Sequence, residues 1–156
     1  LQNSEAWSNL SLDEIKMLEE LDEFLLRSVF ESHSKTPKEF LHLETGTKPV
    51  RFIIASRRLN YFHNIINRQD NELTKRVYEA QKLKTTKGDW YELVKKDFEL
   101  INEEFDEEKF KKMSKYQCKK FVKDRTTKAA FKYLENLKNT HSKIMFLSEL
   151  FDKFEP

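Results

Sequence analysis

Lys112, Lys115, Lys119 and Lys123 recur at helical spacing within residues 109–132, a stretch holding ten Lys or Arg against one acid, Asp124. With Lys111 and Lys120 beside them, several ammonium groups share one helix face. Like charges four residues apart repel by a few tenths of a kcal/mol per pair, roughly, and nothing local offsets that repulsion. A polyanion would offset it, and the common one is a nucleic-acid backbone, whose phosphates Lys and Arg neutralise with release of counterions. The other reading is a solvated face matched intramolecularly by residues 92–108, which carry eight acids and two bases. Segregation of sign is compatible with both.

A second basic set is Arg51, Arg57, Arg58 and Arg68, interleaved with Phe52, Tyr61, Phe62 and His63. Arginine in place of lysine suits bidentate phosphate contact and stacking on aromatic faces. On one helix Arg51 and Arg58, seven apart, share a face, with Arg57 beside them. Ordinary amphipathicity puts Phe52 and Phe62 in the core and leaves the arginines to solvent.

Other chemistry is missing from the sequence. There is no nucleophile elbow, no Walker loop, no H-E-x-x-H and no cysteine cluster. Glu103-Glu104 and Glu107-Glu108 read as polar runs flanking a helix cap. Cys118 reads as a packed side chain, and His33, His42, His63 and His141 lack metal-ligand spacing. No catalytic residue, cofactor or metal is expected, and the chain by itself reads as non-enzymatic.

The elements that must position these residues are helices. Two glycines and three prolines in 156 residues cannot supply the turns of a sandwich or the glycine loops of a doubly wound fold. The helix starts are legible. Ser11 with Glu14 forms a capping box ahead of a stripe of Ile15, Leu18, Leu21, Leu25 and Val29, with Leu10 and Ile15 as a staple. Thr36-Pro37-Lys38-Glu39 is a second box, and its short helix should stop at Gly46. Pro49 opens a helix along Phe52, Ala55, Leu59, Phe62 and Ile66 despite several β-branched residues. Asp70 is expected to cap a helix with Leu73, Val77 and Ala80 inward, followed by a polar loop over 82–88. Trp90, Leu93, Val94, Phe98 and Ile101 form the next stripe. Asp106 then reopens the chain with Phe105 and Phe110 as a staple, and Ser114 with Gln117 caps a long helix through Phe121, Val122, Ala129, Tyr133 and Leu137. A last amphipathic helix is expected from Ser142, with Ile144, Leu147, Phe151 and Phe154 on one side. The expectation is an all-α, irregular bundle of seven to eight helices.

Composition narrows the class further. Charged residues make up 36% and hydrophobic residues 38%, yet thirteen Phe, five Tyr and two Trp are more than a disordered chain carries. The net charge of +2 conceals alternating blocks: residues 1–31 and 92–108 are acidic, 35–91 and 109–132 basic. No apolar run is longer than the four residues of Phe52-Ile53-Ile54-Ala55, far short of the ~20 residues that span a bilayer, so no membrane partner is expected. Leu1 to Leu10 is mixed and includes Glu5, unlike a signal peptide, and the lone cysteine excludes an internal disulfide. An intracellular location, cytoplasm or nucleus, is expected, and the abrupt start without Met suggests a segment of a longer chain.

The order of several motifs resembles a known family. Ser4-Glu5-Ala6-Trp7, Leu18-Glu19, Asp22 and Leu25-Leu26-Arg27 are followed by Thr36-Pro37, Leu41-His42-Leu43-Glu44, Gly46 and Pro49. Next come Val50-Arg51-Phe52-Ile53-Ile54 and Arg57-Arg58-Leu59-Asn60-Tyr61. The match continues more loosely through Val77-Tyr78, Gly88-Asp89-Trp90, Met113-Ser114-Lys115 and Tyr133-Leu134 to His141-Ser142-Lys143. This order resembles the segment after the palm of non-LTR (LINE-type) retrotransposon reverse transcriptases, and residues 36–61 are its most specific part. The resemblance implies a thumb-like helical region over 1–83 and a helical C-terminal extension over 84–156. It implies as partners an RNA or RNA–DNA duplex and the palm and fingers of a parent polymerase. The duplex would be held through phosphates by Arg51, Arg57, Arg58, Lys111, Lys112, Lys115, Lys119, Lys120 and Lys123. The chain departs from the family in having no palm, fingers or catalytic aspartate motif and no Cys/His-rich segment, so it is not expected to polymerise alone. Two other readings stand beside this one. A helical protein–protein interaction domain rests on the charge blocks and the Phe-rich end, and the third is an inactive remnant of a retroelement.

Overall fold

The computed structural model describes residues 3–6, 10, 12–31, 36–86 and 88–140. Ser11 of the first capping box, Trp7, His33, His141 and the expected helix from Ser142 lie outside them. The described residues form an all-α irregular bundle: a 3-10 turn, Ser4–Ala6, then α1 (Leu12–Val29), α2 (Lys38–Thr45), α3 (Val50–Ile66), α4 (Leu73–Leu83), α5 (Trp90–Leu100), α6 (Glu107–Lys112) and α7 (Lys115–Thr140).

Helix α3 is the axis of the molecule and touches the 3-10 turn and every other helix except α2 among the principal packings. Its sequence explains this: Phe52, Ile54, Ala55, Leu59, Phe62, Ile65 and Ile66 are all buried, wrapping apolar surface around most of the cylinder. Phe62 is the hub. Its ring centroid lies 5.6 Å from Phe110, 5.7 Å from Tyr78, 5.9 Å from Phe105, 6.3 Å from Phe98 and 6.4 Å from Trp90. Aromatic pairs at these separations contribute roughly 0.5–1.5 kcal/mol each beyond their buried area. Helix α7 runs antiparallel to α3: the Phe52 ring meets Tyr133 at 5.8 Å, and His63 Nε2 meets the Met113 carbonyl at 2.8 Å. The core draws on residues from Phe52 to Ala130, so both sides of residue 83 share it.

Several boundaries fall where local chemistry requires. Gly46 ends α2 in the left-handed region at φ 63°, where Thr47 N–H donates to the His42 carbonyl and Gly46 N–H to that of Leu43. That pair is a Schellman motif. Asn102 repeats it after α5 at φ 56°, its N–H donating to Glu99 while Glu103 N–H donates to Phe98. Asp106 accepts from Lys109 N–H, and Ser114 and Gln117 bond each other's backbone N–H at 3.2 and 2.9 Å, a completed capping box.

Four expectations need correction. No side chain caps α2: Pro37 sits one position before the helix, and Thr36 instead offers its carbonyl to Arg27. Asp70 lies in a turn, and α4 begins three residues beyond it with Glu72 at its N-cap. Leu73 is 74% and Val77 49% exposed, and Ala80 is exposed too, whereas Tyr78 and Lys75 point inward. Tyr78 prevails because its ring reaches Phe62 and Tyr91 while its hydroxyl donates to Glu107 at 2.7 Å. Lys75 donates to the Ile66 carbonyl at the C-terminal end of α3, where a cation is favoured. On α1 the stripe buries only in its first half. Ile15 and Leu18 are half-buried, but Leu21, Leu25 and Val29 are more than half exposed, as are Met17, Phe24 and Phe30.

Candidate nucleic-acid interface

Because α3 is buried on nearly every side, little of it reaches solvent. Arg57 and Asn64 are exposed and Asn60 and Tyr61 partly so; one turn apart, they form the floor of an open, polar groove of about 680 Å³. Asn3 and Glu5 of the N-terminal turn line it as well, and so does Lys119 of α7. The floor is held rigidly. Trp90 Nε1 donates to the Glu5 carbonyl at 2.8 Å, the Tyr61 ring stands edge-on to Trp90 at 5.8 Å, and Asn60 Nδ2 donates to the Ser56 carbonyl at 2.7 Å.

The positive charge continues along α7. Lys115, Lys119 and Lys123 are each four residues apart and exposed, so they follow one side of the helix; Lys120 is exposed about 100° further round. Lys111 and Lys112 are exposed on α6. None of these six lysines lies in an ion pair with a carboxylate among the described residues. Among the described residues the acidic segment 92–108 meets the basic block at one ion pair, Arg125 with Glu103 at 2.8 Å; its other ion pairs are Arg58 on Asp97, Lys82 on Glu107 and, within the segment, Lys96 on Glu92.

Lys48, which sequence reasoning passed over, joins this line. Its ammonium donates to Thr126 Oγ1 at 3.2 Å, and its pKa is pulled below the ordinary lysine value by burial and by the nearby Lys123. Seventy-eight positions separate Lys48 from Thr126, so no local pattern could have paired them.

The arginines divide. Arg57 faces the groove. Arg51 is drawn to α1, where its Nε donates to Glu19 Oε1 at 2.6 Å and its guanidinium lies 5.1 Å from the Tyr133 ring centroid; that hydrogen bond raises its pKa. Arg58 is 95% buried, Nη1 contacting both Asp97 oxygens at 3.1 and 3.2 Å, and so does not reach the groove. Helical geometry accounts for the split. Positions 51 and 58 are nearly in phase and turn toward α1 and α5, whereas position 57 is rotated by about 100° toward solvent.

The other titratable candidates are structural. His42 is buried against Asp22 at 3.6 Å and bonded to Thr47, and its pKa is lowered mainly by that burial. Cys118 is buried, its thiol pushed up to about 11 by desolvation. Among the described residues no group of three His, Cys, Asp or Glu is placed to hold a metal ion, and no helix is long and apolar enough to cross a membrane. The arrangement is suited to holding an extended anion by charge and amide hydrogen bonds. Comparison with protein-family models, with curated proteins and with solved structures gave no match.

Proposed function

We propose that this chain is a non-catalytic helical region of a retroelement reverse transcriptase, one that grips template–primer or element RNA through phosphate contacts. The observation that carries the reading is the meeting of Arg57 and Lys119 across one open groove, from two helices whose basic residues are about sixty positions apart in sequence. Lys123 and Lys48 extend the positive line beyond the groove, and Lys115 extends it at the other end. Lysine and arginine would neutralise successive phosphates, while the exposed Asn64 amide suits sugar and phosphate oxygens. Such contacts recognise a duplex by backbone and shape, not by base edges in the deep major groove of an A-form helix. Catalysis would belong to palm and fingers supplied by a parent polymerase, and the intracellular location expected from the sequence goes with this reading.

The test is fluorescence anisotropy with a labelled RNA–DNA hybrid at low salt. The chain should bind, and the double variant Arg57→Glu, Lys119→Glu should weaken binding by about tenfold or more, since each lost charge-assisted contact removes roughly 1 kcal/mol. Circular dichroism should stay helical, because both side chains are exposed. Absence of binding by the folded chain at low salt would sink the proposal.

A helical protein–protein interaction domain is the second reading, and one observation favours it. Met17, Leu21, Phe24 and Leu25 recur on one face of α1 and are all more than half exposed, a concentration of apolar surface that suits a protein partner. Under the first reading this face is available to the palm and fingers. Under the second it is the functional surface, and light scattering should show self-association or partner binding while nucleic acid has no effect.

A further inference from the structure

Ten large apolar side chains are exposed among the described residues, and six of them stand on α1 or just after it. Met17, Leu21, Phe24 and Leu25 recur at spacings of three and four and so form one stripe, which Val29 and Phe30 extend at the C-terminal end. The other side of α1 is anchored. Glu19 accepts from Arg51 Nε at 2.6 Å, Asp22 lies 3.6 Å from His42, and Ile15 and Leu26 are half-buried on the same side. These four positions fall within about 60° of one another around the helix. They set its rotation, so the apolar stripe is held toward solvent by the polar contacts opposite it. A contiguous apolar surface kept exposed in this way marks a docking surface.

The charge beside the stripe selects among occupants. Asp13 and Glu20, seven residues apart and both exposed, run along one edge, and exposed Glu14 stands at its N-terminal end. The helix carries six acids and two bases, and the bases are matched within it, Lys16 by Glu20 at 3.9 Å and Arg27 by Glu23 at 2.6 Å. An anionic lipid surface would be repelled, since helices that lie on such membranes carry lysine and arginine beside the apolar face. A second copy would bring the same acidic edge. Residues 141–156 of this chain repeat an apolar pattern but hold three acids against two bases, which offers the edge no net attraction.

We propose that the outer face of α1 docks a basic amphipathic helix of a partner protein. Apolar anchors of that helix at i, i+3, i+4 and i+7 would pack on Met17, Leu21, Phe24 and Leu25, and its Lys or Arg would pair with Asp13, Glu14 and Glu20. The proposal does not rest on the nucleic-acid reading: no residue of α1 lines the Arg57–Lys119 groove.

The probes are two peptides of the same length as α1, 18 residues, sharing one amphipathic leucine pattern. One has lysine at every polar position and the other glutamate, and each is titrated calorimetrically into the full 156-residue chain. The lysine peptide should bind one to one and about tenfold or more tighter than the glutamate peptide at low salt, with the gap narrowing as salt rises. The double variant Leu21→Gln, Phe24→Gln should abolish this binding while circular dichroism stays helical, because both side chains are exposed. Asp13→Lys with Glu20→Lys leaves the stripe intact and should reverse the preference between the peptides. Equal affinity for the two peptides, or no saturable binding of either, would overturn the proposal. So would lysine-peptide binding that survives the Leu21, Phe24 variant. Self-association in light scattering that this variant abolishes would give the face to a second copy instead, and binding to phosphatidylserine vesicles that it abolishes would give it to lipid.

Discussion

Arg57 and Arg58 are chemically identical neighbours with opposite fates, and the difference is one hundred degrees of helix. Arg58 enters the interior with Asp97, whose carboxyl burial pushes up to about 7 despite the lowering effect of Arg58. The folded chain therefore takes up a proton at Asp97 more readily than the unfolded chain does between about pH 4 and pH 7. Its contribution to stability is complete below the unfolded value and is lost as pH rises through 7. Urea midpoints measured from pH 4 to pH 8 should show the wild type losing stability relative to Asp97→Asn over that interval, and levelling above it. A difference that stays flat across the range would mean that burial does not control this carboxyl. Arg57 is exposed and lines the groove with Glu5, Asn60, Asn64 and Lys119, so its replacement should register in binding and leave folding nearly untouched.

The helix ends show how closely local chemistry set the elements. Ser114 and Gln117 bond reciprocally as an S-x-x-Q sequence should, and Asp106 caps α6. Gly46 occupies a left-handed position in which an added Cβ would meet nothing within 4 Å, so backbone strain is the whole cost of a side chain there. Gly46→Ala should lower stability by about 1 kcal/mol, read from denaturant midpoints, with no change in the slope of the transition. Where reading the ends failed, a tertiary contact had displaced the local signal. Asp70 is a good cap, but the α4 that satisfies Tyr78 starts at Leu73. The periodicity of Leu73 and Val77 was real and pointed to a helix; the face that turned inward was decided by Phe62, Tyr91 and Glu107, none of them within ten residues of Tyr78. In the same way α1 is amphipathic, yet half of its apolar stripe faces outward because α2 and α3 meet it through Glu19 and Asp22.

Among the described residues of the whole molecule, charge blocks that alternate along the sequence cancel only in part in space. Among the described residues the acidic segment 92–108 forms ion pairs with Arg58, Lys82, Lys96 and Arg125, while Lys111, Lys112, Lys115, Lys119, Lys120 and Lys123 are exposed. If Lys48, Arg57, Lys115, Lys119 and Lys123 each neutralise one phosphate, the log–log slope of duplex affinity against salt should be about −4 to −5, and the triple variant Lys115→Glu, Lys119→Glu, Lys123→Glu should reduce its magnitude by about 3. Anisotropy titrations between 50 and 200 mM salt, roughly the range in which such slopes are measured, would show it; a slope near zero would place these lysines outside any interface. The fold class, the helix order and the basic blocks were legible in the sequence, because glycine scarcity, capping residues and 3.6-residue periodicity act over a few positions and need no partner. Tertiary structure alone decided that Arg57 meets Lys119, that Lys48 reaches Thr126 and that Arg58 is spent on Asp97. Those pairings join positions 39 to 78 apart, and their geometry follows from which face of α3 each neighbouring helix covers.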